Sequence, residues 1–99
     1  MLNITKEQNG SELTVNLEGR LDTTTAPQLE VEMRSSIDGV TKLTLNLSAL
    51  EYVSSAGLRV ILSAQKVMNK QGEMTVRGAN DDIMEVFEVT GFSDILNIE

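Results

Sequence analysis

The chain has 99 residues, of which 40% are hydrophobic and 23% charged, and this composition predicts one globular domain over residues 1–99. Eight Lys and Arg stand against 15 Asp and Glu, and the formal net charge of −7 argues against nucleic acid or anionic lipid as a partner. Because the chain has no cysteine and no histidine, disulfides, thiolate nucleophiles, Ser-His catalysis and most zinc sites are excluded.

The start of the chain predicts a β-hairpin. Leu13, Val15 and Leu17 alternate with polar residues, which is typical of a strand with one buried face. The Asn-Gly pair at positions 9–10 favours a tight turn before that strand. We therefore expect residues 2–5 to form the partner strand of the hairpin.

A helix is predicted after the hairpin. Thr25 is a favoured N-cap residue, and Gln28 three positions later resembles a capping box. Gly39 is expected to end this helix. The apolar stripe that would face the sheet consists of Ala26, Leu29, Met33 and Ile37.

The second half of the chain continues the alternation of strands and helices. In chain order the predicted elements are a strand at 43–47, a helix from 58 to a left-handed Gly72, a strand at 74–76, a helix from Asn80 to Gly91, and a short strand at 95–98. Strands that alternate with helices imply parallel pairing. The predicted fold is α/β, with a mostly parallel sheet of four to five strands and an N-terminal antiparallel hairpin.

No part of the sequence suggests export or membrane insertion. Lys6 and Glu7 fall where a signal peptide would need an apolar stretch. No later apolar run approaches the roughly 20 residues of a membrane span. We therefore expect a cytoplasmic protein that does not insert into a membrane.

The segment between the third strand and the next helix is where the sequence suggests a binding site, because α/β folds bind ligands at the carboxyl ends of parallel strands. Ser54, Ser55, Ala56 and Gly57 leave the backbone nearly bare at a helix N-terminus, where free N–H groups favour anions. Two interpretations stay open at this point. One of the serines caps the helix, or Ser55 carries a phosphate.

Catalysis at these serines is disfavoured. The G-x-S-x-G motif is absent, and no histidine can serve as a base, which leaves only a Ser-Lys pair as a remote alternative. The glycine-rich loops that cradle nucleotide phosphates are absent too. We therefore expect no enzymatic activity, no cofactor and no metal site.

Three segments carry a resemblance to a known family. They are GRLD at 19–22, LEYVSSAGLRVIL at 50–62 and FEVTGF at 87–92. Through these segments, and over nearly its whole length, the chain resembles a STAS domain of the anti-sigma-factor antagonist family. The middle segment is the most specific of the three.

The resemblance implies a phosphorylation site. In the family, the serine that opens the helix after the third strand is phosphorylated by an anti-sigma factor that is also an ATP-dependent kinase, within the motif Asp-Ser-[Ser/Thr]-Gly-Leu. The corresponding residue in this sequence is Ser55. The chain departs from the motif at Ser54, where the aspartate usually stands, and at Ala56, where a second hydroxyl is common.

The resemblance also implies a docking surface around the acceptor serine. Asp22 would lie beside it, although a turn or cap role explains Asp22 equally well. Arg59 could contact the partner or the phosphate, and an exposed, solvated arginine is the simpler interpretation. The expected partner-binding residues are Asp22, Ser54, Ser55, Ala56, Gly57, Leu58 and Arg59.

The function implied is that of an anti-sigma factor antagonist that regulates transcription. It would bind a kinase-type anti-sigma factor when Ser55 is unmodified, leave it when Ser55 is phosphorylated, and be reset by a phosphatase. The alternative is a STAS subunit of a lipid-transport or other protein complex that is not phosphorylated. Ser54 in place of the aspartate is the feature that favours this alternative.

Overall fold

The computed structural model describes all 99 residues and contains four strands and three α-helices. In chain order they are β1 (Leu2–Asn9), β2 (Glu12–Leu21), α1 (Ala26–Ser36), β3 (Lys42–Val53), α2 (Ser55–Gln71), β4 (Glu73–Arg77) and α3 (Asp81–Thr90). A single 3₁₀ turn, Phe92–Asp94, follows α3. None of the helices is long and apolar enough to cross a membrane.

The strands form one sheet in the order β1-β2-β3-β4. β1 pairs with β2 in antiparallel orientation, whereas β2, β3 and β4 are parallel neighbours. The predicted α/β fold with an N-terminal antiparallel hairpin is therefore confirmed. The hairpin is longer than expected, because β1 extends to Asn9 rather than ending near residue 5.

The core lies on one face of the sheet. Successive strand residues point to opposite faces, so the alternating leucines and valines of β2 and β3 cover one face only. The helices cover that face, and the opposite face carries half-buried Thr and Asn side chains, such as Asn16 and Asn46. The fully buried side chains include Leu13, Leu17, Leu21, Leu29, Leu43, Leu45, Leu47, Ile61, Met68, Met74, Ile83 and Phe87.

The predicted capping box at the start of α1 is wrong. Thr25 is the N-cap residue, but its side chain makes no capping hydrogen bond. Its hydroxyl instead donates to the carbonyl oxygen of Arg20 and accepts from the backbone N–H of Asp22. The Gln28 side chain donates to the carbonyl oxygen of Leu2. Thr25 thus ties the start of α1 to the end of β2, and Gln28 ties α1 to β1.

The predicted left-handed conformation of Gly72 is also wrong. Gly72 is the C-cap of α2 with φ of 175°, an extended conformation that any residue can adopt. A Cβ at this position would lie only 1.9 Å from the carbonyl oxygen of Thr41. The glycine is needed because another backbone passes close to it.

The predicted fifth strand at residues 95–98 does not form. The 3₁₀ turn leads instead into a single parallel bridge between Ile98 and Val76. Backbone hydrogen bonds from Val76 to Asn97 and from Glu99 to Val76 line the edge of β4. The sheet therefore has four strands, and the C-terminal segment covers the outer edge of β4.

Candidate functional site

The junction between β3 and α2 is built by a serine cap. β3 ends at Val53, Ser54 is the extended N-cap residue, and α2 starts at Ser55. The Ser54 Oγ accepts a 3.3 Å hydrogen bond from the backbone N–H of Gly57. Of the two serines, Ser54 is therefore the one that caps the helix, and the helix starts two residues before Gly57.

This assignment leaves the Ser55 hydroxyl uncommitted. Ser55 is exposed, and its side chain makes no hydrogen bond within the chain. The backbone N–H groups of Ser55 and Ala56 have no acceptor inside the helix, because the first turn of any α-helix lacks partners for them. A phosphate on Ser55 would therefore meet free donors and the positive end of the helix dipole.

The loop after β2 holds Asp22 in a fixed conformation. The Asp22 Oδ1 accepts hydrogen bonds from the Thr24 hydroxyl at 2.7 Å and from the backbone N–H groups of Thr24 and Thr25 at 3.0 and 3.1 Å. These bonds, the Thr24 hydroxyl first among them, lower the pKa of Asp22 to about 2. The carboxylate is therefore charged at physiological pH. The contacts of Asp22 with Thr24 and Thr25 are those of a residue that stabilises a turn.

One backbone hydrogen bond joins this loop to the start of α2. The N–H of Ser54 donates to the carbonyl oxygen of Leu21 at 2.8 Å, and Leu21 directly precedes Asp22. At this end of the sheet, Leu21 of β2 is paired with Val53 of β3. The loop of Asp22 and the helix start that carries Ser55 are therefore one continuous piece of structure.

The expected docking residues differ in their exposure. Ser55 and Arg59 are exposed, and Asp22, Ser54 and Ala56 are half-buried. Gly57 and Leu58 are buried beneath them, so they support the surface from below and offer a partner little area. The expected docking residues from Ser55 to Arg59 lie within the first turn and a half of α2.

Arg59 and Ala56 also border a shallow cavity of about 200 Å³ between the N-terminal ends of α1 and α2. Its remaining lining residues are Thr23, Ala26, Pro27, Glu30 and Val60. The sequence did not single out this cavity, because it depends on how two helices pack. Thr24 and Thr25 were missed as the residues that fix Asp22, although an Asp followed by Thr residues is a recognised signal for a side-chain-stabilised turn.

Comparison with known proteins identifies the family of the chain. The family model for the STAS domain matches residues 3–99. Over 98% of its length the chain is 34% identical to BtrV of Bordetella bronchiseptica, a candidate anti-sigma factor antagonist, and covers 85% of that protein. It is also 32% identical to the anti-sigma-B factor antagonist of Staphylococcus aureus, over 98% of this chain and 92% of that protein.

Solved structures share the fold. The unphosphorylated form of the anti-sigma factor antagonist SpoIIAA superposes with a TM-score of 0.77 at 17% identity, over 98% of this chain and 87% of the other. The phosphorylated form of the Bacillus protein SpoIIAA gives the same TM-score at 18% identity, over 98% and 91% of the two chains. This chain belongs to the STAS domain family, and the two relatives described above bear the name of anti-sigma factor antagonists.

Proposed function

We propose that this protein is a cytoplasmic anti-sigma factor antagonist whose binding to a kinase-type anti-sigma factor is switched off by phosphorylation of Ser55. The observation that carries the proposal is the position of Ser55. It is the exposed first residue of α2, and its hydroxyl has no other role in the structure. The family relationship supports the antagonist function, and the free hydroxyl supports Ser55 as the site of the switch.

A phosphate at this position would change the surface while leaving the core intact. Ser55 contacts solvent, whereas the core side chains of this region lie on the other side of α2. A phosphoserine carries about −1.5 to −2 charges at neutral pH. Such a charge stabilises the N-terminal end of a helix, so the modified domain stays folded.

The effect on the partner follows from desolvation. An unmodified Ser55 can be covered by a partner at little cost, because a hydroxyl finds hydrogen bonds easily. A dianion covered by the same surface would lose its water and would repel nearby carboxylates. Each loss of about 1.4 kcal/mol weakens binding tenfold, so even partial desolvation of the phosphate suffices to release the partner.

The proposed docking surface joins two parts of the chain. Asp22 contributes a carboxylate held by hydrogen bonds from Thr24 and Thr25. Ser54, Ser55, Ala56 and Arg59 contribute the start of α2. A surface fixed in this way loses little conformational entropy when the partner binds. A phosphatase would complete the cycle by restoring the unmodified serine.

The experiment combines phosphorylation with binding. The purified chain is incubated with its anti-sigma factor kinase and ATP, and the modified residue is mapped by mass spectrometry. We expect a phosphate on Ser55, continued binding of Ser55→Ala without phosphate transfer, and a loss of binding of at least about tenfold in Ser55→Asp. Ser35→Asp, at an exposed serine in the last turn of α1, serves as the matched control. A kinase-treated chain that carries no phosphate on Ser55 would refute the switch.

A subunit role in a lipid-transport or other complex is the second candidate. The feature that favours it is Ser54 at the position where the family motif has aspartate. In that case the chain would co-purify with transporter subunits from cells, and Ser55 would carry no phosphate under any growth condition. The same phosphosite mapping, applied to protein isolated from cells, separates the two functions.

A further inference from the structure

An exposed cation lies at the same end of the sheet as Ser55. Arg20 of β2 and Tyr52 of β3 are direct neighbours across the parallel pair, and Arg20 Cζ lies 4.4 Å from the centre of the tyrosine ring. The adjacent pair, Leu21 and Val53, is buried under the helices. Because strand side chains alternate between faces, Arg20 and Tyr52 lie on the face that the helices leave open.

The guanidinium of Arg20 is held in place but has no hydrogen-bonded partner. Stacking on an aromatic ring restrains its plane. It forms a long ion pair with Asp22, whose Oδ2 lies 4.0 Å from Arg20 Nε, beyond hydrogen-bond distance. The other oxygen of Asp22 is taken by Thr24 and Thr25. No group in the chain accepts a hydrogen bond from the Arg20 side chain, which is 53% exposed.

An oriented guanidinium without a hydrogen-bonded partner is suited to an anionic ligand with two oxygens in one plane. Its N–H groups form a planar fork that matches a carboxylate in a bidentate arrangement. The restraint by Tyr52 lowers the entropy lost when that arrangement forms. The chain carries a net charge of −7, so a positive group beside Asp22 of the proposed docking surface differs in sign from the chain as a whole.

We propose that Arg20, oriented by Tyr52, is a specificity-determining contact of the docking surface and binds a carboxylate side chain of the anti-sigma factor. This inference rests on the proposed function, because it names the chemistry by which the same partner is recognised. The phosphate of a modified Ser55 is the other anion to consider. It is disfavoured because Ser55 starts a helix on the covered face, whereas Arg20 lies on the open face.

The first test measures affinity for the purified anti-sigma factor kinase. We expect Arg20→Gln to weaken binding about tenfold and Arg20→Glu to weaken it further, because charge reversal adds repulsion. Tyr52→Phe keeps an aromatic face under the guanidinium and should bind like the wild type, whereas Tyr52→Leu should lose severalfold. Arg34→Glu, at an exposed arginine of α1, is the control for net charge.

The second test separates recognition from a structural role. Replacing the contacted Asp or Glu of the partner by Lys should restore binding to Arg20→Glu and weaken binding to the wild type. The affinity of the wild type should also fall more steeply with salt than that of Arg20→Gln. Unfolding midpoints equal to that of the wild type would show that the variants remain folded.

The outcomes distinguish this inference from the proposed function. If Ser55→Asp loses binding but Arg20→Glu binds within twofold of the wild type, the inference is overturned and the switch stands. If the wild type itself does not bind the kinase, the proposed function has failed. A change in the phosphoserine titration of the modified chain upon Arg20→Gln, followed by phosphorus NMR, would reassign Arg20 to the phosphate and overturn the carboxylate contact.

Discussion

Gly57 packs so closely on Leu21 that a Cβ at this position would lie 2.6 Å from the Cγ and 3.1 Å from the carbonyl oxygen of the leucine. Leu21 is the last residue of β2 and is completely buried. The start of α2 therefore rests directly on the strand that leads into the Asp22 loop. The position of Ser55 relative to that loop depends on the absence of a side chain at Gly57.

Gly57→Ala is expected to destabilise the domain and to displace the start of α2. Alanine favours helix, but overpacking against a buried leucine typically costs about 1–3 kcal/mol. Urea unfolding measures the loss, and the affinity for the anti-sigma factor reports the displacement. Ser55→Ala, an exposed change in the same turn, should alter stability by no more than about 0.5 kcal/mol. Equal stabilities for Gly57→Ala and the wild type would contradict the close packing.

Gln71→Leu is expected to loosen the connection between α1 and β3. The Gln71 side chain donates to the carbonyl oxygens of Ile37 and Val40 at 2.8 and 2.6 Å, and Val40 is fully buried. Leucine cannot donate, so both partly buried carbonyl oxygens lose a hydrogen bond. We expect the free energy of unfolding to fall by about 1–3 kcal/mol. Chemical unfolding of Gln71→Leu checks the value, and Lys70→Leu at the preceding exposed position is the control. An unchanged midpoint would show that water replaces both bonds freely.

Much of the fold follows from local patterns in the sequence. The period of two in Leu13, Val15 and Leu17 correctly predicted β2, because one face of the sheet is buried and the other is not. Asn80 was also predicted correctly as the N-cap of α3. Its side-chain oxygen accepts a hydrogen bond from the N–H of Ile83, only three residues away. Signals that are satisfied within a few residues can be predicted from sequence alone.

Features that depend on distant parts of the chain were not predicted. The extended Gly72 is required by the backbone of Thr41, which is 31 residues earlier in the sequence. The contact between Arg20 and Tyr52 depends on two register shifts between β2 and β3, at Asn16/Glu18 and Gly19/Arg20. Such irregularities reflect packing of the whole sheet, so alternation alone could not place the cation at the candidate site.

The stability of the domain is expected to depend on the charge of Asp22 at low pH. Hydrogen bonds in the folded state lower the pKa of Asp22 to about 2 from an ordinary value of 3.8. A lowered folded-state pKa means that the unfolded chain takes up the proton first. The stabilisation by Asp22 is therefore complete above about pH 5 and is lost as the pH falls from 4 to 2.

The measurement compares the wild type with Asp22→Asn in urea unfolding between pH 2 and pH 7. The wild type should be more stable at neutral pH, and the difference between the two proteins should shrink below pH 4. Glu51→Gln, at an exposed carboxylate of β3, controls for the change in net charge. A difference between wild type and Asp22→Asn that stays constant down to pH 2 would mean that the carboxylate is not held by the loop.

Substitutions at Ser54 should change the stability of α2 in opposite directions. Its Oγ accepts from the N–H of Gly57, so Ser54→Ala loses the cap and should destabilise the domain by about 1 kcal/mol. Ser54→Asp restores the residue usual in the family motif. It keeps an acceptor and places a negative charge at the helix N-terminus, which contributes about 0.3–1 kcal/mol.

Urea unfolding of both Ser54 variants at neutral pH checks these values, with Ser63→Ala on an exposed position of the same helix as the control. Because Ser54→Asp brings the segment back to the family motif, phosphate transfer to Ser55 should be faster in this variant than in the wild type. Because the cap fixes the backbone that carries Ser55, Ser54→Ala should be phosphorylated more slowly. A Ser54→Ala variant as stable as the wild type would show that the 3.3 Å bond contributes nothing, and the fixed position of the acceptor hydroxyl would then need another cause.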